Sequence, residues 1–152
     1  MQKNNLCLCL GAIFFLLISC GKKTIAEKSF SKAALAGTWE LRESQNGMMP
    51  TTQHAPGNGS RFRFTKTAYE QYQDGNLVKS GSYQVVRDTT VQREVGLDLP
   101  AGQFTNRLIL ANDASATKIF FEIEGNKLTL LSGFFPTDGG SRQIFEKTDG
   151  GK

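Results

Sequence analysis

The sequence predicts an all-β fold, an up-and-down antiparallel β-barrel of about eight strands that follows a cleaved signal peptide and a short tether. Three observations carry this. From Thr38 onward apolar and polar residues alternate with a period of two, as they do in strands with one wet face. Turn signals interrupt that pattern at short intervals, at Asp74-Gly75-Asn76, Pro100-Ala101-Gly102, Asn112-Asp113, Gly125-Asn126 and Asp138-Gly139-Gly140. No helical period of ten or more residues appears after Thr38. The 152 residues suffice for one domain, and 39 % hydrophobic content supplies a core where a disordered chain would lack one.

The chain opens Met1-Gln2-Lys3 and then runs without a polar side chain for thirteen residues, from Leu6 to Ile18. A helix crossing a bilayer needs roughly 20 residues, whereas a secretory apolar region needs about 7 to 15 behind a basic start. Residues 1–19 therefore read as a signal peptide. Its end, Leu17-Ile18-Ser19-Cys20, resembles the bacterial lipobox. That resemblance implies cleavage before Cys20 and acylation of Cys20, which would anchor the chain to a membrane without crossing it, since two or more acyl chains hold stably where one is marginal. Cys7 and Cys9 leave with the peptide, so no internal disulfide is possible and the domain must rely on its core. Residues 20–32 are polar, basic and aperiodic, as expected of a tether. Lys22 and Lys23 either rest on anionic headgroups or are simply solvated. No acidic residue directly follows Cys20, so the chain lacks the surface-export pattern of some bacterial groups. The implied address is the cell envelope, at the outer membrane and facing the periplasm.

Nine segments qualify as strands: 38–45, 60–66, 68–73, 77–87, 91–99, 105–111, 117–124, 127–132 and 141–147. Trp39 and Leu41 define the inner face of the first, Phe62 and Phe64 that of the second, and Phe121 lies among the apolar positions of the seventh. All four prolines fall between segments, as paired strands require. An antiparallel meander closes with an even number, so one segment is misassigned or lies outside the ring, with 68–73 and 91–99 the candidates. A two-sheet sandwich is the alternative. The barrel domain spans 33–148, and 149–152 form a tail.

Gly37-Thr38-Trp39 at the start of the first strand resembles the Gly-x-Trp signature of lipocalins. The order of Arg61-Phe62-Arg63-Phe64-Thr65, Gly81-Ser82-Tyr83, the run Phe121 to Leu130, and Phe145-Glu146-Lys147 is similar to that of lipocalin-like domains of bacterial lipoproteins. The resemblance covers residues 33–148 through short, degenerate motifs. It implies a calycin-type barrel with Trp39 plugging its base and a basic residue lying across the ring. Lys147 is the best placed, because an antiparallel last strand ends beside the start of the first, and such a contact contributes about 0.5–2 kcal/mol.

Two functions from different classes follow. In the first, the barrel holds a small apolar or amphipathic ligand. Phe62, Phe64, Tyr83 and Phe121 would line it, Met48 and Met49 in a loop from Gln45 to Gly59 would close over it, and an inward Arg93 would pair with a carboxylate. For each residue a plainer assignment stands beside this one: core aromatics, a surface insertion, and a bulge at Arg93. In the second, the barrel is filled and its outer surface or loops bind another envelope protein, as an inhibitor or assembly subunit would. Phe134-Phe135-Pro136 is the most apolar loop segment, either a contact surface or a piece that folds back onto the barrel. Bulky aromatics meeting at the centre would favour the second function and a ligand-sized cavity the first. A lone His, His54, and no Cys after Cys20 remove the usual routes to a catalytic triad, a zinc site or a thiol nucleophile, and no cofactor, metal or catalytic residue is expected. Scattered basic residues give no nucleic-acid face.

Overall fold

A computed structural model describes residues 32–148. The signal peptide, Cys20 and almost all of the tether lie outside the described residues, as does the tail 149–152. A single helical turn, α1 (Lys32–Leu35), leads into β1 (Gly37–Asn46), and β2 (Thr52–Gln53), β3 (Arg61–Phe64), β4 (Ala68–Gln73) and β5 (Asn76–Arg87) follow. A second short helix, α2 (Val91–Val95), precedes β6 (Asn106–Leu110), β7 (Ile119–Glu124), β8 (Lys127–Ser132), a 3₁₀ turn (Phe135–Thr137) and β9 (Ser141–Thr148).

Every pairing is antiparallel; β1 pairs with β3 past β2, neighbours in sequence pair from β3 to β9, and β9 returns to pair with β1, from Thr38↔Thr148 to Asn46↔Ser141. This closes an eight-stranded barrel of β1 and β3 to β9, with β2 as one extra strand laid on β1. Closure removes the exposed edges that an open sheet of this size would carry. The β4–β5 hairpin turns through Asp74 (φ 49°) and Gly75 (φ 82°), the left-handed pair that matches strand twist. Beyond it, the first half of β5 pairs only with β4, and the register slips at Val78. That bulge and Lys79 are the usual defence of an uncovered edge where Leu77 and Val78 face solvent.

Segment 91–99 is not a strand. Val91 and Val95 are spaced i, i+4 and bury one face of α2, which ends at Gly96 in the left-handed conformation that glycine adopts without strain (φ 70°). The segment at 68–73, by contrast, is a full member of the ring. Arg93 consequently does not point into the barrel: it lies on the solvent face of α2, its side chain 77 % exposed and paired with Glu94 at 3.1 Å. The expected loop from Gln45 to Gly59 is also partly regular. Gln45 and Asn46 extend β1, and Glu43↔Gln53 and Ser44↔Thr52 lay the returning chain back along it.

Two apolar clusters organise the molecule. The larger fills the barrel with Trp39, Leu41, Phe62, Phe64, Tyr69, Tyr83, Leu108, Phe121, Leu128, Leu130 and Phe145, and Leu35 of α1 closes it from below. The smaller lies on the outside of the wall, where Phe120 and Leu131 are covered by Val91, Val95, Phe104 and Phe135.

Candidate functional site

The base is built around Trp39, fully buried at the start of β1. Its indole Nε1 donates to the Leu35 carbonyl at 2.7 Å, which satisfies the ring's one donor and fixes α1 beneath the barrel. Lys147 lies opposite Trp39 in the β1–β9 register, and its Nζ stands 5.2 Å from the ring centroid. Lys32 of α1 makes a second such contact, 5.3 Å over Tyr83, and donates to the Tyr83 carbonyl at 3.4 Å. The Tyr83 hydroxyl donates to the Thr65 carbonyl at 2.8 Å, and burial pushes its pKa up.

Around the base the aromatics touch one another, with Phe62 opposite Trp39 and Phe64 opposite Gly37 in the register. Phe62 stacks on Phe64 at 5.5 Å and meets Phe145 edge-on at 5.4 Å, while Phe64 meets Tyr83 edge-on at 5.2 Å. Phe121, fully buried, belongs to the same cluster. Edge-to-face and offset contacts at this spacing are those of a packed core, and each adds about 0.5–1.5 kcal/mol to area burial. Phe62, Phe64, Tyr83 and Phe121 therefore fill the space between the strands with one another's rings.

The rim at the far end of β1 carries Met48 (73 % exposed) and Met49 (67 % exposed). Their turn is tied sideways, through Gly47 N–H to the Gly140 carbonyl at 2.7 Å and Met48 N–H to Asp138 Oδ1 at 3.4 Å. Phe134, on that neighbouring loop, is also exposed, whereas Phe135 beside it turns into the outer cluster. His54 pins the returning segment to β1 through a 2.8 Å hydrogen bond between Nε2 and Ser44 Oγ.

Two charged clusters brace the outside of the wall. Arg42 joins Glu40 (2.8 Å) to Glu146 (3.1 Å) across β1 and β9. Burial pushes the Glu40 carboxyl up, but hydrogen bonds from Arg42 and the Gly57 amide hold it below its ordinary value. On the opposite side, Lys118 Nζ reaches Asp88 (3.1 Å), Glu94 (3.1 Å) and Thr90 Oγ1 (2.9 Å). Above α2, a hollow of about 310 Å³ opens between that helix, β6 and segment 114–118. The sequence marks a turn here only at Asn112-Asp113 and predicts strands over 105–111 and 117–124, whereas β6 ends at Leu110 and β7 begins at Ile119; a run of Ala, Asn, Asp and Ser carries no signal that distinguishes a pocket wall from a turn.

Among the described residues no group of three or more His, Cys, Asp or Glu side chains could hold a metal ion, and no helix is long and apolar enough to cross a membrane. Compared with protein-family models, curated proteins and solved structures, the chain matched none. The class therefore rests on the fold alone, a small closed antiparallel barrel compatible with a lipocalin-like architecture.

Proposed function

We propose that this chain is a lipid-anchored, non-enzymatic protein of the bacterial cell envelope, whose filled barrel is a scaffold and whose outer surface and rim loops engage another envelope protein. The observation that carries this is the interior itself: Trp39, Phe62, Phe64, Tyr83, Phe121 and Phe145 occupy the position a carrier would reserve for its ligand. Eleven residues separate Cys20 from Lys32, a span of at most about 40 Å when fully extended. The chain enters the barrel at its base, so the base is the end nearest an acyl group on Cys20 along the chain, and a tether of that reach lets the rim turn away from the membrane. Met48, Met49 and Phe134 are then held at the other end, roughly 30 Å away along β1. Apolar side chains exposed on that rim face a periplasmic protein sooner than the chain's own bilayer.

Titration of the purified full chain with a fluorescent fatty-acid probe tests the filled-barrel reading. Non-saturable, weak uptake is expected. Saturable stoichiometric binding that Phe121→Ala alters would instead make the protein a carrier of small apolar molecules. The anchor is tested separately by Cys20→Ser, which should move the protein from the membrane to the soluble envelope fraction. A variant that stays membrane-bound through a high-salt wash would overturn the lipoprotein assignment.

A further inference from the structure

The hollow lies outside the barrel, separate from its interior, and borders the loop that carries Phe134 through Gly133. Its volume of about 310 Å³ lies at the lower end of the range of ligand pockets, roughly 300–1,000 Å³. Charged and polar groups from three elements converge on it: Glu94 of α2, Arg107 of β6, and Ser115 and Lys118 of the connecting segment, over a floor that includes Val95 and Gly133.

These charges are not equivalent. Lys118 uses its three donors on Asp88, Thr90 and Glu94, so it braces the wall and has no hydrogen left for a guest. Arg107 is different. It stands on a rigid strand, its register partners being Val86 and Phe120, and among the described residues its side chain donates from Nη2 to the Ala114 carbonyl at 2.7 Å. Among the described residues no carboxylate pairs with it, so most of a five-donor guanidinium remains to be met. Glu94 receives its hydrogen bonds from Arg93 and Lys118 at Oε1 alone, which leaves Oε2 as an acceptor.

The wall is also preorganised. Ala111 (φ 52°) and Asn112 (φ 57°) hold left-handed conformations that non-glycine residues rarely adopt. Asn112 is fixed there by hydrogen bonds to Gln84 (3.1 Å) and Ser82 (2.8 Å), both on β5. Asp113 Oδ1 then accepts from the backbone amides of Ser115 (3.0 Å) and Ala116 (3.2 Å), which sets the segment that faces Arg107. A loop tied this firmly loses little further freedom when a guest enters.

We propose that this hollow binds a small zwitterion of amino-acid or dipeptide size, its carboxylate on Arg107 and its ammonium on Glu94. A guanidinium matches a carboxylate in two parallel hydrogen bonds, and the carboxylate of Glu94 selects a cationic partner group on the same molecule.

The test is nuclear magnetic resonance titration of the full chain in detergent micelles with alanyl-alanine, alongside N-acetyl-alanine, which lacks the ammonium, and alanine amide, which lacks the carboxylate. Alanyl-alanine should shift the amides of Arg107, Ser115 and Lys118 saturably, and each blocked compound should bind about tenfold or more weakly, the loss of one charge-assisted pair. Arg107→Gln, which keeps the side chain's length and leaves the barrel interior untouched, should abolish those shifts while the dispersion of the other amides is retained. Absence of saturable shifts at millimolar alanyl-alanine would overturn the proposal. So would equal binding of N-acetyl-alanine, which would reveal a plain anion site, or a response indifferent to Arg107→Gln.

Discussion

Phe120 and Phe121 are neighbours on β7, both fully buried, and they belong to different cores. Phe121 points into the barrel among side chains delivered by the strands, whereas Phe120 points out and is covered by α2, Phe104 and Phe135. Leu130 and Leu131 repeat the arrangement on β8. One core is enclosed by the hydrogen-bonded ring, with Leu35 of α1 beneath it; the other depends on a five-residue helix and a 3₁₀ turn staying in place. The difference lies in what must fail for each to open. Exposing Phe121 requires the wall to break. Exposing Phe120 requires only that a small cover lift, a local opening of lower free energy than global unfolding.

The cover is held by a few close contacts. Gly96 ends α2 against the neighbouring loop, where an added Cβ would stand 2.6 Å from both Phe134 Cε2 and Pro136 Cδ. Phe104 adopts a left-handed conformation (φ 50°) and its amide donates to Glu122 Oε2 at 2.9 Å. Lys118, clamped between Asp88 and Glu94, ties the start of α2 to the wall.

Removing the base plug should have the largest effect. Trp39→Ala should destabilise the domain by about 3–5 kcal/mol in denaturant melts, because a fully buried ring leaves a cavity that the strands cannot close. That is a large share of the roughly 5–15 kcal/mol of a typical domain. A loss below about 1 kcal/mol would show that the inner core does not depend on this residue.

Val95→Ala should remove about 2 kcal/mol, two buried methyl groups, and should do so locally. Hydrogen exchange is the discriminating measurement. The Gly96 amide, which donates to the Gln92 carbonyl at 2.9 Å, should exchange faster in the variant while those of β1 and β9 keep the protection that their reduced global stability allows. Protection of the Gly96 amide equal to that of the β1 and β9 amides, in the parent and the variant alike, would mean that the two cores open as one.

Acid should act on the cover through the clamp. Burial pushes Asp88 up, but hydrogen bonds from Thr90 and Lys118 hold its carboxyl below the ordinary value of 3.8. Hydrogen bonds from Arg93 and then Lys118 lower Glu94 from 4.5, and Lys118 itself is raised above 10.5, first by Asp88. Depressed carboxyls contribute stability above their ordinary values and lose it as pH falls through the lowered ones. A raised ammonium contributes below 10.5 and loses it as pH rises through the elevated value. The clamp therefore holds from about pH 5 to about pH 10 and weakens on either side. Protection of α2 amides should fall below pH 4, and Lys118→Met should flatten that dependence without altering the acid response of β1, where Glu40 and Arg42 act instead. Unchanged acid sensitivity of α2 in Lys118→Met would remove the clamp from the account.

Much of this division was legible in the sequence, and the part that was not has a physical cause. Period-two alternation and turn signals located the eight barrel strands, 68–73 among them although it was one of two candidates for exclusion; an even number permits antiparallel closure, and the β1–β9 pairing decides it against a two-sheet sandwich. The same rule misled at 91–99, where Val91 and Val95 fit both a strand and one turn of helix. Arg93, anomalous on a strand's inner face, was the sign of the wrong period, and Gly96 marked the stop. The outer core escapes a reading that gives each strand one wet face; the paired apolar neighbours Phe120-Phe121 and Leu130-Leu131 are the signal, unused there, of a wall covered on both sides. The pocket was not legible, because Glu94 and Arg107 line one hollow only once α2, a helix the period-two reading does not contain, packs against β8 on the outside of the wall.

The smallest expected effect belongs to the barrel base, and it separates charge from packing there. Lys147 is exposed as a residue, yet its stem covers Gly37, where an added Cβ would stand 2.8 Å from Lys147 Cε, and its ammonium stands over Trp39. An exposed contact of this kind contributes about 0.5–1 kcal/mol. Lys147→Met keeps most of the apolar stem and removes the cation, whereas Lys147→Ala removes both. If attraction to the indole matters, Lys147→Met should lose most of that amount and Lys147→Ala only slightly more. If coverage of the base matters, Lys147→Met should match the parent in denaturant melts and Lys147→Ala alone should lose stability. In either case both losses should stay well below that of Trp39→Ala, since the ring remains sealed from below by Leu35 and hydrogen bonded to its carbonyl.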